Sequence, residues 1–413
     1  MSSSKTKLVI VGGCGRVGMP LGIMFAHRAK LDVTLLDIDQ KRMAAVNSGT
    51  MPFLEDGADA PLRAVSGKNL HATSDTACLR KADVVITIIG TPVDKHMNPT
   101  MNELYRTVDG LIASMRPGAL LVLRSTVYPG VTKLVYDRIQ ARGGKIELAF
   151  CPERLAEGKA MEELVTLPQI VSAYKPKALK MATKLFGSIA PSLIELDPLE
   201  AELAKLYTNS WRYLNFAVSN QFYMLAESYG LDFQRIHKAV TQDYPRMKSF
   251  ARAGFAAGPC LVKDTLQLAA FAQNNFFMGH AAMLVNEGLP NFIVERLRKD
   301  HDLSKKSVAI LGMAFKGDSD DNRESLSYKL WHLLQVYCKE TLPTDEFLHD
   351  PEFVPLKTAI KKADIIIVGA PHNAYKKLKL PPNKIIVDVW GMFRTADTKT
   401  IHPLRTSARK GKK

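Results

Sequence analysis

Long apolar runs are missing from the 413-residue chain. None approaches the ~18–20 residues that a membrane-crossing helix needs, so no transmembrane span and no membrane partner are expected. Cysteine is scarce: Cys14, Cys78, Cys151, Cys260 and Cys338 are scattered, with no C-x-x-C pair. That spacing predicts neither a disulfide framework nor a zinc site, so no metal is expected and the thiols fit a reducing compartment. A leader is not expected either, because the polar stretch Met1 to Lys7 runs straight into a strand, and the predicted location is cytoplasmic. Helix-turn-helix, zinc-finger and RNA-recognition signatures are absent, as are low-complexity segments and an exact internal repeat. The formal net charge is +15, yet five positive charges (Arg405, Arg409, Lys410, Lys412, Lys413) fall in the last nine residues. A nucleic-acid partner is therefore not expected; the remaining charge suits a phosphate-bearing small molecule.

What is present is an ordinary globular composition, 46% hydrophobic and 23% charged, in a chain too long for one typical domain. Lys7 to Val11 (K-L-V-I-V) reads as a buried parallel strand. It empties into Gly13-x-Gly15-x-x-Gly18 and a helical pattern from Met19 to Arg28. In this dinucleotide fingerprint Gly13 is expected to make the turn, Gly15 to admit the pyrophosphate and Gly18 to pack helix on strand. A second strand, Val33 to Leu36, ends in Asp37, where a carboxylate accepts hydrogen bonds from ribose hydroxyls and repels a 2′-phosphate; NAD is favoured over NADP. Arg42, one helical turn on, is the residue that could offset that preference. Strands at Asp83 to Gly90, Ala119 to Leu123 and Ile146 to Phe150 alternate with helices at Asn102 to Met115 and Val131 to Ala141. The alternation predicts a doubly wound parallel sheet with Thr91, Thr126 and Glu153 at strand carboxyl ends. Glu153 and Glu157 could handle protons or water, or could simply be a solvated acidic loop.

From Pro198 the pattern turns helical. Leu199 to Tyr229 carries apolar residues at helical spacing and no strong breaker, predicting one helix of about 45 Å that ends at Gly230. Its apolar positions, including Trp211, Phe216 and Phe222, are spread widely enough to predict an oligomer interface. Lys205 and Asn209 share a face at i, i+4. Further helices are expected at Asp232 to Val240, Lys263 to Asn274 and Gly279 to Lys299. At Ser307 the chain restarts as α/β, with strands at Ser307 to Leu311, Asp364 to Val368 and Lys384 to Val389. Between the first of these and a helix reaching Tyr337, Lys316 and Arg323 suit a phosphate-bearing ligand. The expected domains are 1–197, 198–302 and 303–413.

The stretch from Ala253 to Thr265 (A-G-F-A-A-G-P-C-L-V-K-D-T) is the most suggestive. Cys260 has Lys263 and Asp264 one turn away and a helix about to begin, features that favour a thiolate. An activated nucleophile is one reading; a buried structural cysteine at a helix start is the other.

Together the stretches resemble the UDP-glucose/GDP-mannose dehydrogenase family along nearly the whole chain. The matching pieces are Gly13 to Pro20, Gly90 to Val93, Ser125 to Val127, Pro152 to Gly158, Glu202 to Asn209, Pro245-Arg246, G-P-C-L-x-K-D and L-G-x-A-F-K…D-x-R-x-S. The resemblance implies an α/β protein: an N-terminal NAD-binding Rossmann domain, a central helical dimerisation domain and a C-terminal Rossmann-like nucleotide-sugar domain. It implies NAD-dependent four-electron oxidation of a sugar C6 alcohol to the uronate, by a homodimer or larger homo-oligomer. Cys260 corresponds to the nucleophile, Lys205 and Asn209 to oxyanion donors, and Thr126, Glu153 and Asp264 to groups that hold water. NAD contacts are implied at Gly13, Gly15, Arg16, Val17, Gly18, Asp37, Arg42, Thr91, Thr126, Glu157, Lys263 and Arg323. Substrate contacts are implied at Glu153, Arg154, Leu155, Lys205, Asn209, Gly258, Phe315 and Lys316, and at Arg246, which would reach a neighbouring subunit's substrate.

The chain departs from the family pattern in places. Phe255 and Ala257 stand where the family carries glycines, Gly254 is displaced by one, Val262 replaces a proline and Arg16 an aromatic residue. The first two are expected to reshape the substrate pocket. C-P-E-R at Cys151 to Arg154 tilts the substrate towards an N-acetylhexosamine over UDP-glucose. A two-electron hydroxyacid or 6-phosphogluconate-type dehydrogenase is the alternative, and it gives Cys260 no task.

Overall fold

The computed structural model describes residues 5–88, 101–256, 258 and 260–393. Thr91, with the rest of Gly90 to Val93, lies outside the described residues, as do Ala257 and the basic tail. The chain folds as two compact units, Met1–Thr208 with Ala270–Ala272, and Asn209–Ala269 with Gln273–Lys413.

The first unit is built on an eight-stranded sheet. Its strands are β1 (Lys7–Val11), β2 (Asp32–Leu36), β3 (Leu70–Thr73), β4 (Val84–Thr87), β5 (Leu120–Leu123), β6 (Glu147–Phe150), β7 (Gln169–Ala173) and β8 (Leu193–Glu195), in the order β3-β2-β1-β4-β5-β6-β7-β8. The order reverses between β1 and β4, which opens the crevice where α/β sheets bind ligands. Alternate residues feed two cores. Leu8 and Ile10 join Met19, Ile23 and Phe25 on one face, while Val9 joins Val85, Leu121 and Phe150 on the other. A fully parallel sheet is not what forms: β7 runs antiparallel to β6, and β8 is parallel to β7. Antiparallel additions at the margin of a parallel sheet are common, because an edge needs no crossover helix on a fixed side.

In the second unit β9 (Ser307–Leu311), β10 (Glu340–Thr344), β11 (Ile365–Val368) and β12 (Ile385–Val387) form a parallel sheet, ordered β10-β9-β11-β12. Val308, Ile310, Ile365 and Ile367 pack with Leu289, Ile293 and Leu297 of the Phe277–Asp300 helix, and Phe255 lies in the same core, 3% exposed. The Phe255 side chain is thus part of this core.

The helix Pro198–Ser228 has 31 residues and contributes to both units. Leu206, Tyr213 and Ala217 are buried, whereas Tyr207, Trp211, Val218, Phe222 and Leu225 are 45–60% exposed in the single chain. Those five positions, at spacings of 4, 7, 4 and 3, make one apolar stripe along the helix.

Candidate active site

The turn after β1 accounts for the glycines, with one change of role. Gly12 takes the left-handed conformation (φ +73°) and donates to the Leu36 carbonyl at 2.9 Å. Gly13 is needed for closeness instead: a Cβ there would sit 2.6 Å from the Ile10 oxygen and 2.8 Å from Leu35 Cβ. A Cβ on Gly18 would meet the Gly12 and Gly13 backbone at 2.8 Å, so the Gly18–His27 helix starts hard against the turn. At Gly15 the space is ordinary, 3.5 Å to the nearest atom. Asp37 closes the arrangement by accepting from Cys14 N–H (2.8 Å), Ile38 N–H (2.8 Å) and Asp39 N–H (3.1 Å). A cradle with no room for a Cβ at Gly13 or Gly18, a helix N-terminus behind it and a half-exposed carboxylate beside it fits a dinucleotide.

Arg16 and Glu157, both implied at the cofactor, are brought together. Arg16 Nη1 lies 3.2 Å from Glu157 Oε1, and its guanidinium sits over the Phe53 ring at 5.0 Å. Glu55, from the same loop as Phe53, accepts from Gly158 and Ala160 N–H at 3.1 and 2.6 Å. Val17 precedes the first helix of the fold. Arg42 lies 3.4 Å from Asp39, which caps its helix.

A second cluster gathers beyond β5 and β6. The Lys205 ammonium, 4% exposed, lies 3.2 Å from Glu153 Oε1, and Leu155 N–H donates to Glu153 Oε2 at 2.7 Å. Burial by itself would raise the Glu153 carboxyl; Lys205, Arg124 and the Leu155 N–H outweigh it and hold the group below the usual carboxylate value. Arg124, which the sequence shows only as part of a strand end, is fully buried, donates to the Cys151 carbonyl and Gln169, and faces Phe186. Glu202 fastens the neighbouring helix Val131–Ala141 through Gly130 N–H, Thr132 N–H and the Thr132 hydroxyl at 2.6–2.7 Å. Thr126, half-buried, lies between β5 and that helix. Arg154 instead turns to the Pro168 carbonyl.

The third cluster surrounds Cys260. Its carbonyl accepts from Asp264 N–H at 3.0 Å, so Cys260 sits at the start of the Leu261–Phe271 helix. Asp264 is 1% exposed; Asn209 Nδ2 donates to its Oδ2 at 2.6 Å, and Lys263 Nζ is 3.8 Å from its Oδ1. Of the five cysteines, Cys260 is the exposed one. Burial pushes the Cys14 and Cys151 thiols up to about 12 and Cys338 up to about 11, which keeps them protonated and inert. Gly258 (φ +102°) lies against Phe315, whose ring a Cβ would approach to 2.7 Å, and donates to the Glu324 carbonyl. Lys316 Nζ is 5.8 Å from the Phe315 ring centroid. Arg323, implied as a cofactor contact, grips Asp321 through Nε at 3.0 and 2.9 Å. Arg246 is exposed on the Pro245–Met247 turn and touches Tyr244.

The sequence reading misses three buried polar devices. Asn220 grips the Gly254 backbone ahead of Cys260, and Asn286 ties the Asn220 amide to the Tyr213 carbonyl. The pair His372–Asp345, at 3.1 Å and with both side chains 0% exposed, underlies the Lys316 loop. For the asparagines a signal exists: amides at positions where the helical pattern calls for apolar residues. Among the described residues no group of three or more His, Cys, Asp or Glu could hold a metal, and no helix is long and apolar enough to cross a membrane.

Comparison with known proteins adds three domain matches from one family, described as UDP-glucose/GDP-mannose dehydrogenase. Its NAD binding domain matches residues 6–190, its central domain 199–287 and its UDP binding domain 309–395. The chain is 31% identical over 402 residues to a UDP-N-acetyl-D-mannosamine dehydrogenase of Pyrococcus horikoshii, covering 92% of this chain and 94% of that one. It is 25% identical to an NDP-N-acetyl-D-galactosaminuronic acid dehydrogenase of Ralstonia nicotianae, with 94% and 96% covered. A solved UDP-D-ManNAc dehydrogenase from Pyrococcus horikoshii superposes with a TM-score of 0.87 at 27% identity, over 96% of this chain and 98% of that one.

Proposed function

Since the chain belongs to the UDP-glucose/GDP-mannose dehydrogenase family, we propose that it oxidises the C6 alcohol of a UDP-linked N-acetylhexosamine to the uronate, in four electrons. The observation that carries this reading is the set of thiols: Cys260 alone among the five is exposed, and it stands at a helix start beside Lys263 and Asp264. NAD would supply the hydride acceptor for each oxidation when bound, and the Gly12–Gly18 turn and Asp37 would hold it, with Arg16, Val17, Arg42, Glu157, Lys263 and Arg323 as further contacts.

The Cys260 thiolate adds to the C6 aldehyde, forming a C–S bond and an oxyanion. Lys205 and Asn209 donate to that oxygen. Loss of hydride from the thiohemiacetal leaves a thioester, and water held by Thr126, Glu153 and Asp264 cleaves the C–S bond to release carboxylate and restore the thiol. Glu153, kept ionised beside Lys205, is suited to accept the proton of that water. Arg154, Leu155, Gly258, Phe315 and Lys316 bind the substrate, and Arg246 reaches the substrate of a second subunit. Cysteines scattered along the chain with no C-x-x-C spacing fit a reducing, cytoplasmic setting.

The exposed Trp211–Val218–Phe222–Leu225 stripe supports a homodimer in which a second copy covers it, each large side chain then contributing up to about 1.5–3 kcal/mol. Light scattering at micromolar concentration should give a dimer or larger, and the double substitution Trp211→Asp, Phe222→Asp should give a monomer; a monomeric wild type would remove the interface.

The test of substrate is a panel of UDP-N-acetylmannosamine, UDP-N-acetylgalactosamine, UDP-glucose and GDP-mannose, each followed by NADH absorbance and mass spectrometry of the product. A uronate from a UDP-N-acetylhexosamine is the expected result. Turnover of none of the four with NAD would overturn the reading.

A further inference from the structure

The backbone that leads to Cys260 is held by side-chain amides on the long helix. Asn215 Nδ2 donates to the Ser249 carbonyl at 2.6 Å while its Oδ1 accepts from Ala251 N–H at 3.2 Å. About one and a half turns later Asn220 repeats the pattern on a single residue. Its Oδ1 accepts from Gly254 N–H at 2.8 Å, and its Nδ2 donates to the Gly254 carbonyl at 3.0 Å. The second Nδ2 proton goes to Asn286 Oδ1 at 2.9 Å, and Asn286 Nδ2 donates to the Tyr213 carbonyl at 3.1 Å. Both amides are 0% exposed.

Only a primary amide can imitate a neighbouring peptide in this way, offering one acceptor and two donors in a plane. The Asn286 contact fixes which way round the Asn220 amide lies, since a flipped amide would oppose like groups at all three contacts. On its other side Gly254 has no freedom: a Cβ there would overlap the Trp390 ring at 2.3 Å. Phe255 anchors the next residue in the core. The path of Gly254 and Phe255, shortly before Cys260 in the chain, is therefore set from one face of the long helix.

We infer that Asn220, oriented by Asn286, is a positioning residue that sets the path of the Gly254 backbone and so the presentation of Cys260 to the sugar. The inference rests on the nucleotide-sugar reading of the site. Neither amide touches the thiol, so the effect acts through the backbone. Asn220→Asp would retain the bond from Gly254 N–H but set a carboxylate against two carbonyl oxygens, and such a variant is at risk of not folding. Asn220→Ala and Asn286→Ala are therefore the working variants.

Three measurements are made on full-length protein, with UDP-N-acetylmannosamine as the sugar probe: kcat and KM, NAD affinity by fluorescence, and the rate of Cys260 alkylation by iodoacetamide with and without the sugar. Asn220→Ala is expected to lower kcat at least about tenfold, since small misplacements of a reacting group are costly. NAD affinity should stay within about twofold, because the cradle belongs to β1 and β2, and protection of Cys260 by the sugar should be lost. Asn286→Ala, which leaves the grip on Gly254 intact, should show the same pattern at about a third of the size or less. If Asn220→Ala does not fold, the Asn286→Ala pattern decides. Wild-type kcat and undiminished protection in the folded variant would overturn the inference, as would an equal fall in NAD affinity. Failure of the thiol chemistry is separate: uronate formation by Cys260→Ala would remove it, while the loss of sugar-dependent contrast on Asn220→Ala would still be readable in Cys260 alkylation of the otherwise wild-type protein.

Discussion

The turn after β1 and the turn after β9 use the same hydrogen bonds, and they differ in what is left of the acidic residue for a ligand. Gly12 N–H reaches Leu36 and Gly312 N–H reaches Thr344, each at 2.9 Å, and both glycines are left-handed. Asp37 and Asp345 stand one residue further on and accept loop N–H groups on both carboxylate oxygens. There the likeness ends. The first turn goes into its helix at Gly18, whereas the second spends residues 313–325 on a loop before Leu326–Tyr337. Asp37 stays half-exposed, but the Asp345 side chain is 0% exposed and receives Met313, Ala314, Phe347 and Leu348 N–H besides His372. His372 accepts from Asp318 N–H at Nδ1 (2.8 Å), so its proton lies on Nε2, towards Asp345. One scaffold thus gives a carboxylate that can meet a ribose and another that serves only to pin the loop bearing Lys316.

The comparison breaks first on stability. Asp345→Asn turns an acceptor into a donor facing buried N–H groups, and should cost about 3–5 kcal/mol in urea unfolding, against about 1 kcal/mol or less for Asp37→Asn. Similar losses would mean that the two carboxylates are not differently used. The pH dependence has a definite sign. Burial alone would raise the Asp345 carboxyl; the bond from His372 and the backbone N–H groups outweigh it and leave it below the ordinary 3.8. Its contribution is therefore complete above pH 3.8 and is lost as pH falls through the lower folded value, so wild type and Asp345→Asn should converge only in strong acid.

A smaller effect sharpens the other half. Asp37 should give at least about tenfold preference for NAD over NADP in kcat/KM, through repulsion of a 2′-phosphate. Asp37→Ser should shrink that ratio, and comparable wild-type efficiency with both cofactors would contradict the role. The smallest change is expected from Glu157→Gln. Its bridge to Arg16 is partly exposed, so NAD affinity should move by about two- to fivefold, measured by fluorescence titration.

Much of this was legible in residue order. The run Lys7 to Val11 is β1 to the residue, and the long helix differs from its apolar pattern by one residue at each end. The strand β10 was hidden by Pro343, which argues against a strand interior; it is tolerated because β10 is an edge. The roles of Gly12 and Gly13 could not be separated, since spacing marks where glycine is needed but not whether for φ or for room. Cys260, Lys205 and Asn209 were singled out through neighbours in sequence. Asn220, Asn286 and His372 were not, because their partners lie 27 to 73 residues away.

The central claim is that the exposed thiol carries the second oxidation, and the ratio of NADH formed to sugar consumed tests it most directly. The first hydride transfer needs no adduct, whereas an aldehyde must become tetrahedral before it can give up hydride. Wild type should yield two NADH and one uronate per sugar. Cys260→Ser, an equally small but far weaker nucleophile, should lose steady-state turnover by about a thousandfold or more and show an aldehyde- or ester-level species on the quenched protein. One NADH per sugar in the wild type, or uronate at a near-normal rate from Cys260→Ser, would contradict the account.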